Sequence, residues 1–170
     1  MLGACTVKTV IALIGMAGSG KSTVASALAA LTGLPVRDTD REIESDEGRS
    51  IAEIFAQNGE QAFRALERKA MLCEARDCVL SLGGGAIEHR DAMAHLKEVA
   101  FVVYLRASLS AIMERVARDG ARPLAPRTEE LYARRAPLYE ADADLTVDVD
   151  GRTVSEIASD IFLQWKNILT

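Results

Sequence analysis

The stretch from residue 9 to residue 32 constrains the fold of this 170-residue chain more than any other segment. A short run of β-branched and apolar residues, Thr9 to Ile14, leads directly into Gly15-Met16-Ala17-Gly18-Ser19-Gly20-Lys21-Ser22. Beyond this octapeptide the apolar residues recur at helical spacing, on a stripe formed by Val24, Leu28 and Leu31. The octapeptide fits G-x-x-x-x-G-K-[ST] at a strand-to-helix turn, the context in which that pattern marks a phosphate-binding loop, or P-loop.

Each residue type in this loop has a chemical reason to be there. Glycines let successive backbone N–H groups converge on phosphate oxygens, and the following helix points its positive dipole end at the same anion. Lys21 is predicted to bridge the terminal phosphates, and the Ser22 hydroxyl to bind Mg²⁺. The pattern therefore predicts a protein that binds a nucleoside triphosphate. A glycine-rich turn without a ligand is the alternative.

Strand and helix patterns alternate along the rest of the chain. Further short apolar runs occur at residues 34–37, 78–82, 99–105 and 145–149. Helical patterns separate these runs, which predicts an α/β fold: a five-stranded parallel sheet with helices on both faces. Residues 1–170 are expected to form one domain.

Local signals predict where several helices begin and end. Ser50-Ile51-Ala52-Glu53 has the form of a capping box, and Asn58-Gly59 is expected to end the helix that it opens. A second helix is expected from residue 59 to 76 and a short one from 129 to 135. Trp165 lies on the apolar stripe of the last helix, which favours a place in the core over contact with a ligand.

Composition excludes several classes of protein. A net charge of −5 at pH 7 disfavours sequence-independent binding to nucleic acid, and the apolar runs are too short to cross a membrane. The three cysteines do not have the number or spacing of a disulfide framework, which indicates reduced thiols and hence a cytoplasmic protein. Six arginines nevertheless fall between Arg115 and Arg135, which indicates local anion binding.

Two carboxylates follow the second predicted strand, in Asp38-Thr39-Asp40. In an extended segment, side chains two residues apart face the same way. One carboxylate could then orient Mg²⁺ or its water while the other accepts a proton from an attacking hydroxyl. The alternative is a polar turn in which Asp40 is the N-cap of the next helix.

A third set of candidates combines glycines with arginines. Gly83-Gly84-Gly85 ends a strand expected beside the P-loop strand, where the backbone could approach a ligand closely; the alternative is a tight turn. Arg64 lies opposite the apolar stripe of its helix, a position typical of a solvated side chain. The arginines of a Pro- and Gly-containing segment, taken together, favour a mobile anion clamp. These are Arg122, Arg127, Arg134 and Arg135.

These motifs occur in the order seen in shikimate kinases, which the chain resembles from Val10 to its final helix. The resemblance also includes Ile51-Ala52-Glu53-Ile54-Phe55, Gly59-Glu60-Gln61-Ala62-Phe63-Arg64, Arg122-Pro123-Leu124 and Arg135-Ala136-Pro137-Leu138-Tyr139. It implies a nucleoside-monophosphate-kinase-like fold and a monomer that transfers the ATP γ-phosphoryl group to the 3-hydroxyl of shikimate. A related P-loop kinase for gluconate or quinate is the alternative. A GTPase-type switch is disfavoured because the N-K-x-D guanine motif is absent from the sequence.

The resemblance also implies roles for individual residues. ATP would be held by Gly18, Ser19, Gly20, Lys21, Ser22, Thr23, Arg115, Arg122 and Arg152. Mg²⁺ would bind Ser22 and Asp38, and shikimate would bind Asp40, Arg64, Gly83, Gly84, Gly85 and Arg135. The catalytic set would be Lys21, Asp40 and Arg122. Substrate-binding helices are expected at about residues 41–76 and a lid at about 119–128.

The lid departs from the family pattern. Only twelve residues, Pro123 to Arg134, separate Arg122 from Arg135, whereas the family usually has a longer lid there. Proline also occurs twice within Pro123-Leu124-Ala125-Pro126. A shorter, stiffer lid should exclude water less well, which predicts some ATP hydrolysis without an acceptor.

Overall fold

The computed structural model describes residues 8–119 and 127–169. Its strands are β1 (Val10–Ile14), β2 (Val36–Asp38), β3 (Val79–Ser81), β4 (Ala100–Arg106) and β5 (Leu145–Asp148). Its helices are α1 (Lys21–Thr32), α2 (Thr39–Glu47), α3 (Ile51–Leu72), α4 (Arg90–Val99), α5 (Leu109–Asp119), α6 (Thr128–Asp142) and α7 (Val154–Leu169). A short 3-10 turn, Ala86–Glu88, precedes α4.

The strands form one sheet in the order β2-β3-β1-β4-β5, and every neighbouring pair is parallel. The predicted five-stranded parallel sheet is thereby confirmed. The apolar strand β1 is central and fully buried. Because the chain leaves β1 for β2 and later crosses to β4 on the other side, the carboxyl end of β1 lies where the strand order reverses. Ligands bind at such switch points in α/β proteins.

Helices complete the core. Helix α1 packs against α7, and α3 packs against α4. Trp165 of α7 is 8% exposed, and its indole N–H donates to the Lys8 carbonyl at 2.9 Å, which confirms its predicted place in the core. Val154, at the start of the same stripe, is 37% exposed. Of the helices in the described ranges, none is both long enough and apolar enough to cross a membrane.

Helix α2 corrects the sequence-based interpretation of the two carboxylates. The N-cap of α2 is Asp38, whose Oδ1 accepts from the backbone N–H groups of Asp40 (3.1 Å) and Arg41 (3.3 Å). The alternative in which Asp40 caps the helix is therefore wrong. Asp38 ends β2 in an extended conformation, so its side chain can reach the first turn of the helix, whereas Asp40 lies within that turn.

Helix α6 is longer than predicted. The expected helix, 129–135, continues through Pro137 to Asp142. An interior proline removes one helical hydrogen bond and costs about 3 kcal/mol. The helix nevertheless continues to Asp142, whose buried carboxylate binds Arg90 at 2.5 Å and Lys97 at 3.2 Å and so ties the end of α6 to α4.

Helix α3 is bent where the sequence predicts a break. Gly59 has φ 81° and ψ 173°. These are not helical backbone angles, so two helices meet at this residue. The predicted capping box is present: the Glu53 N–H donates to Ser50 Oγ at 3.2 Å, and the Ser50 N–H donates to Glu53 Oε2 at 2.7 Å. The second part ends at Leu72 rather than at residue 76, because Cys73 is already extended.

The backbone strain at Gly59 can be measured by comparison with Gly48, which ends α2. A Cβ at Gly59 or at Gly48 would have no heavy atom within 4 Å, so alanine at either position changes conformational preference without a clash. Gly48 has left-handed angles (φ 65°, ψ 22°) that alanine can adopt, whereas the angles of Gly59 are essentially restricted to glycine. We expect Gly59→Ala to lower the free energy of unfolding by about 2 kcal/mol and Gly48→Ala by about 0.5–1 kcal/mol. Urea denaturation measures both, and equal losses would contradict the assigned strain.

Candidate active site

The P-loop joins β1 to α1 at the switch point of the sheet. Gly15, Gly18 and Gly20 all have positive φ angles, and a Cβ on Gly15 would lie 2.7 Å from the Leu105 carbonyl oxygen. The glycines are therefore required by the conformation of the loop and by its closeness to β4. The Lys21 ammonium donates to the carbonyl oxygens of Gly15 and Met16, both at 2.8 Å, so its charge lies across the mouth of the loop.

Ser19 gives the loop an unused polar atom. Its Oγ is buried and makes no hydrogen bond with any residue that the structure describes. A buried hydroxyl without a partner is costly, and it indicates a place for an ordered polar group. A phosphate oxygen inside the loop would satisfy it.

Ser22 and Asp38 bring two oxygen donors together beside the loop. The Ser22 hydroxyl donates to Asp38 Oδ2 at 2.8 Å, while the other oxygen of Asp38 caps α2. Mg²⁺ is usually held by one or two protein oxygens together with phosphate oxygens and water. The donor set of this pair therefore fits Mg²⁺.

A cavity of about 400 Å³ opens in front of the loop. Its walls include Gly18, Gly20, Lys21, Ser22 and Thr23 of the P-loop and α1. Asp38, Asp40 and Gly84 line it from the strand side, and Arg115 and Arg118 of α5 line it from the other. The phosphate loop and the Asp40 carboxylate thus share one space.

Arg115 and Arg118 contribute positive charge to that cavity. Arg115 donates to the Gly18 carbonyl oxygen at 2.8 Å, which ties α5 to the P-loop. Arg118 was not singled out by the sequence analysis, although it belongs to the same run of arginines. The spacing of three residues puts Arg115 and Arg118 on the same face of a helix, and this spacing could have predicted that Arg118 lies beside Arg115 at the site.

The three glycines after β3 let charged side chains come close to the backbone. A Cβ on Gly83 would lie 2.6 Å from Asp40 Oδ1 and 2.6 Å from Glu67 Oε1. A Cβ on Gly85 would lie 1.8 Å from Arg64 Nη1. We call residues 83–85 the glycine segment. It therefore forms a wall against which Asp40, Glu67 and Arg64 are packed, and that close approach requires glycine.

Arg64 is not on a solvated face. Its side chain is 17% exposed, and its guanidinium donates to Glu67 Oε2 at 2.7 Å and to Glu60 Oε1 at 3.2 Å. Burial by itself would lower the pKa of Arg64, but the two carboxylates outweigh burial and raise the pKa above its ordinary value. The guanidinium is held charged and in a fixed orientation.

Glu67 is a site residue that the sequence analysis missed. Its side chain is 1% exposed, and Oε2 is shared between Arg64 and His89 Nε2, which lies 3.1 Å away. On the helix, Glu67 falls among the apolar residues Phe63 and Ala70 rather than on the polar face. An acid within an apolar stripe was the signal that could have found it.

Helix α6 brings Arg135 to Glu88, in the 3-10 turn that follows the glycine segment. Arg135 is buried, and both its Nε (3.1 Å) and Nη2 (2.7 Å) donate to Glu88 Oε2. One turn later, the Tyr139 hydroxyl donates to the Gly84 carbonyl oxygen at 2.6 Å. Burial raises the pKa of Tyr139 well above its ordinary value, so this hydroxyl stays a donor.

The structure does not bring every predicted residue to the cavity. Arg152 binds Asp160 of α7 at 2.5 Å and does not line the cavity as formed by the described residues. Arg122 and residues 120–126 of the expected lid lie outside the described ranges. Arg127, which follows them, has Nη1 3.9 Å from Glu60 Oε2, next to Arg64.

A P-loop shares a cavity with a carboxylate, and two arginines held by carboxylates lie beside the glycine segment and the turn that follows it. This arrangement defines the class: a P-loop phosphotransferase with a small acidic acceptor. Comparison with known proteins narrows this class.

Residues 17–166 match the family model for shikimate kinase. The chain is 42% identical over 159 residues to the shikimate kinase of Thioalkalivibrio sulfidiphilus, a match covering 89% of this chain and 84% of that one. The shikimate kinase of Acinetobacter baumannii in complex with shikimate superposes with a TM-score of 0.88 at 34% identity, over 95% of both chains. That of Aquifex aeolicus superposes with a TM-score of 0.82 at 32% identity, over 93% of this chain and 96% of that one. The chain belongs to the shikimate kinase family.

The two carboxylates that bind Arg64 differ in burial, so their contributions to the free energy of unfolding can be compared. Glu67 is 1% exposed and Glu60 is 41% exposed, and both bind the Arg64 guanidinium. We expect Glu67→Gln to lower the free energy of unfolding by about 2 kcal/mol, since a buried charge-assisted hydrogen bond is lost. Glu60→Gln should cost less than about 1 kcal/mol, as is usual for exposed ion pairs. Chemical denaturation of both variants measures the difference, and a larger loss in Glu60→Gln would contradict the expectation.

Proposed function

We propose that this chain catalyses the transfer of the γ-phosphoryl group of ATP to the 3-hydroxyl of shikimate, a step in aromatic amino acid biosynthesis. The observation that carries the proposal is the cavity shared by the P-loop and the Asp40 carboxylate. Membership of the shikimate kinase family supports the choice of acceptor.

The donor half of the proposed site would hold the polyphosphate. Residues 18–23 would surround it with backbone N–H groups, and the Lys21 ammonium would exchange its loop carbonyls for phosphate oxygens. Arg115 and Arg152 are proposed to face the adenine side, and Arg122 the transferred group. Ser22 and Asp38 would hold Mg²⁺, which supplies charge neutralisation on the phosphate oxygens when bound.

The acceptor half would orient shikimate against the glycine segment. Arg64 and Arg135 would bind its carboxylate, for which a guanidinium fork is well suited. Asp40 would accept the proton of the 3-hydroxyl as the hydroxyl oxygen bonds to the γ-phosphorus. The bond from that phosphorus to the β-γ bridging oxygen breaks, giving shikimate 3-phosphate and ADP.

Location and assembly belong to the same proposal. Cys73 and Cys78 are both free thiols, and burial raises the pKa of the Cys78 thiol, which keeps it protonated and unreactive. Free thiols agree with a reducing cytoplasm. We propose that the protein acts as a monomer, as the resemblance to shikimate kinases implies.

ADP release with Mg²⁺-ATP tests the acceptor. Shikimate, quinate, gluconate and no acceptor are compared, and we expect strong stimulation by shikimate. Gluconate stimulating more strongly would favour the alternative kinase. The arm without an acceptor measures the hydrolysis expected from the short lid, and ADP release equal in all four arms would refute the proposed transfer.

Asp40→Asn tests the proton acceptor. The amide cannot accept the hydroxyl proton, so we expect kcat to fall by about 10²–10⁴. The Kd for ATP should stay within about twofold, because the P-loop is unchanged. Asp46→Asn is the matched control, since Asp46 is exposed on the same helix and its loss should leave kcat unaltered. Near-normal turnover in Asp40→Asn would remove Asp40 from the proposed role.

A further inference from the structure

The 3-10 turn after the glycine segment carries a carboxylate that the proposed reaction does not use. Glu88 ends this turn, is half-buried, and binds two arginines of α6. Its Oε2 accepts from Nε and Nη2 of Arg135, and its Oε1 lies 2.7 Å from Nε of Arg134. Glu88 therefore holds one of the two arginines assigned to the acceptor.

The geometry of this pair leaves part of the Arg135 guanidinium available. A guanidinium has five N–H donors. Within the described residues, Glu88 engages the side edge formed by Nε and Nη2, and it does so with a single oxygen. The Nη1 end is not occupied by Glu88. A second carboxylate can bind at that end without displacing the first.

The charges of these three side chains also leave room for a second carboxylate. Glu88 contributes one negative charge, and Arg134 and Arg135 contribute two positive charges, so the three side chains carry a net charge of about +1. Burial would raise the pKa of Glu88, but the two arginines outweigh it and hold the pKa below its ordinary value. The surplus charge matches one incoming carboxylate.

The surroundings keep this arrangement in place. Arg135 is buried on α6, and Tyr139, one turn further, fixes α6 to Gly84 through its hydroxyl. Glu88 lies only three residues beyond Gly85, so its backbone position is tied to the glycine segment. Arg135 and the glycine segment are thus connected through Glu88 as well as through Tyr139.

We propose that Glu88 is a positioning residue for the acceptor: it holds the side edge of Arg135 so that the opposite end faces the carboxylate of shikimate. This inference rests on the proposed function. It assigns no chemical step to Glu88, which acts through Arg135. Without Glu88, the guanidinium would be free to turn and the acceptor would bind less tightly.

Glu88→Gln tests the inference because it keeps the shape of the side chain and removes its charge. We expect the KM for shikimate to rise by roughly tenfold, the size of one charge-assisted hydrogen bond, while kcat and the KM for ATP stay within about twofold. Glu74→Gln is the matched control: Glu74 also pairs with an arginine, Arg76, but precedes the amino end of β3, whereas the site lies beyond its carboxyl end. The control should leave all three constants unchanged.

A double-mutant cycle separates positioning from a general structural effect. If Glu88 acts through Arg135, Glu88→Gln should change the KM for shikimate by less than about twofold in an Arg135→Ala background. Glu88→Asp, which restores the charge, should recover part of the lost affinity. Thermal unfolding of each variant checks that it is folded.

The outcomes are distinct. A lower or unchanged KM for shikimate in Glu88→Gln, or additive effects in the cycle, would overturn the inference and leave the proposed function intact. A lower KM would mean that Glu88 competes with the substrate for Arg135. A wild-type protein without shikimate-dependent ADP release would overturn the proposed function, and the inference with it.

Discussion

The parallel pairing of β1 with β3 sets the position of the groups at the site. Ile11 pairs with Val79 and Leu13 with Ser81, and the Leu82 N–H donates to the Leu13 carbonyl at 3.1 Å. The P-loop and the glycine segment therefore leave the sheet side by side. A Cβ on Gly84 would lie 3.0 Å from the backbone nitrogen of Ala17. A shift of one residue in register would turn the buried side chains of β3 to the other face and separate these two segments.

Two carboxylates, one buried and one half-buried, orient the arginines at this wall. Glu67 orients Arg64, which lies on the same helix α3, and Glu88 of the 3-10 turn holds Arg135 of α6. Burying an ion pair is weak evidence for added stability, because the cost of desolvation offsets much of the attraction between the charges. What such a pair does supply is a fixed direction for a guanidinium. Fixed guanidinium groups are what recognition of a planar carboxylate needs.

The parts of the molecule that could be predicted from sequence are those encoded locally. The P-loop, the capping box at Ser50 and the break at Gly59 each depend on a few neighbouring residues. The sheet could be predicted because short apolar runs alternate with helical patterns. The continuation of α6 through Pro137 could not be predicted in this way, since proline locally indicates a helix end and the ion pairs of Asp142 with Arg90 and Lys97 of α4 join distant parts of the chain.

The same reasoning explains what residue spacing alone misses at the site, where Arg64 was named only through the family resemblance. Arg64 has the helical position of a solvated residue, and only the approach of the glycine segment and of Glu67 buries it. Glu88 binds a residue 47 positions further along the chain, a separation at which residue spacing carries no information. Sequence patterns therefore identify the loop that would bind the donor. The proposed acceptor wall is assembled from α3, α6 and the 3-10 turn between them, so its charges come together only when these three segments meet beyond β3.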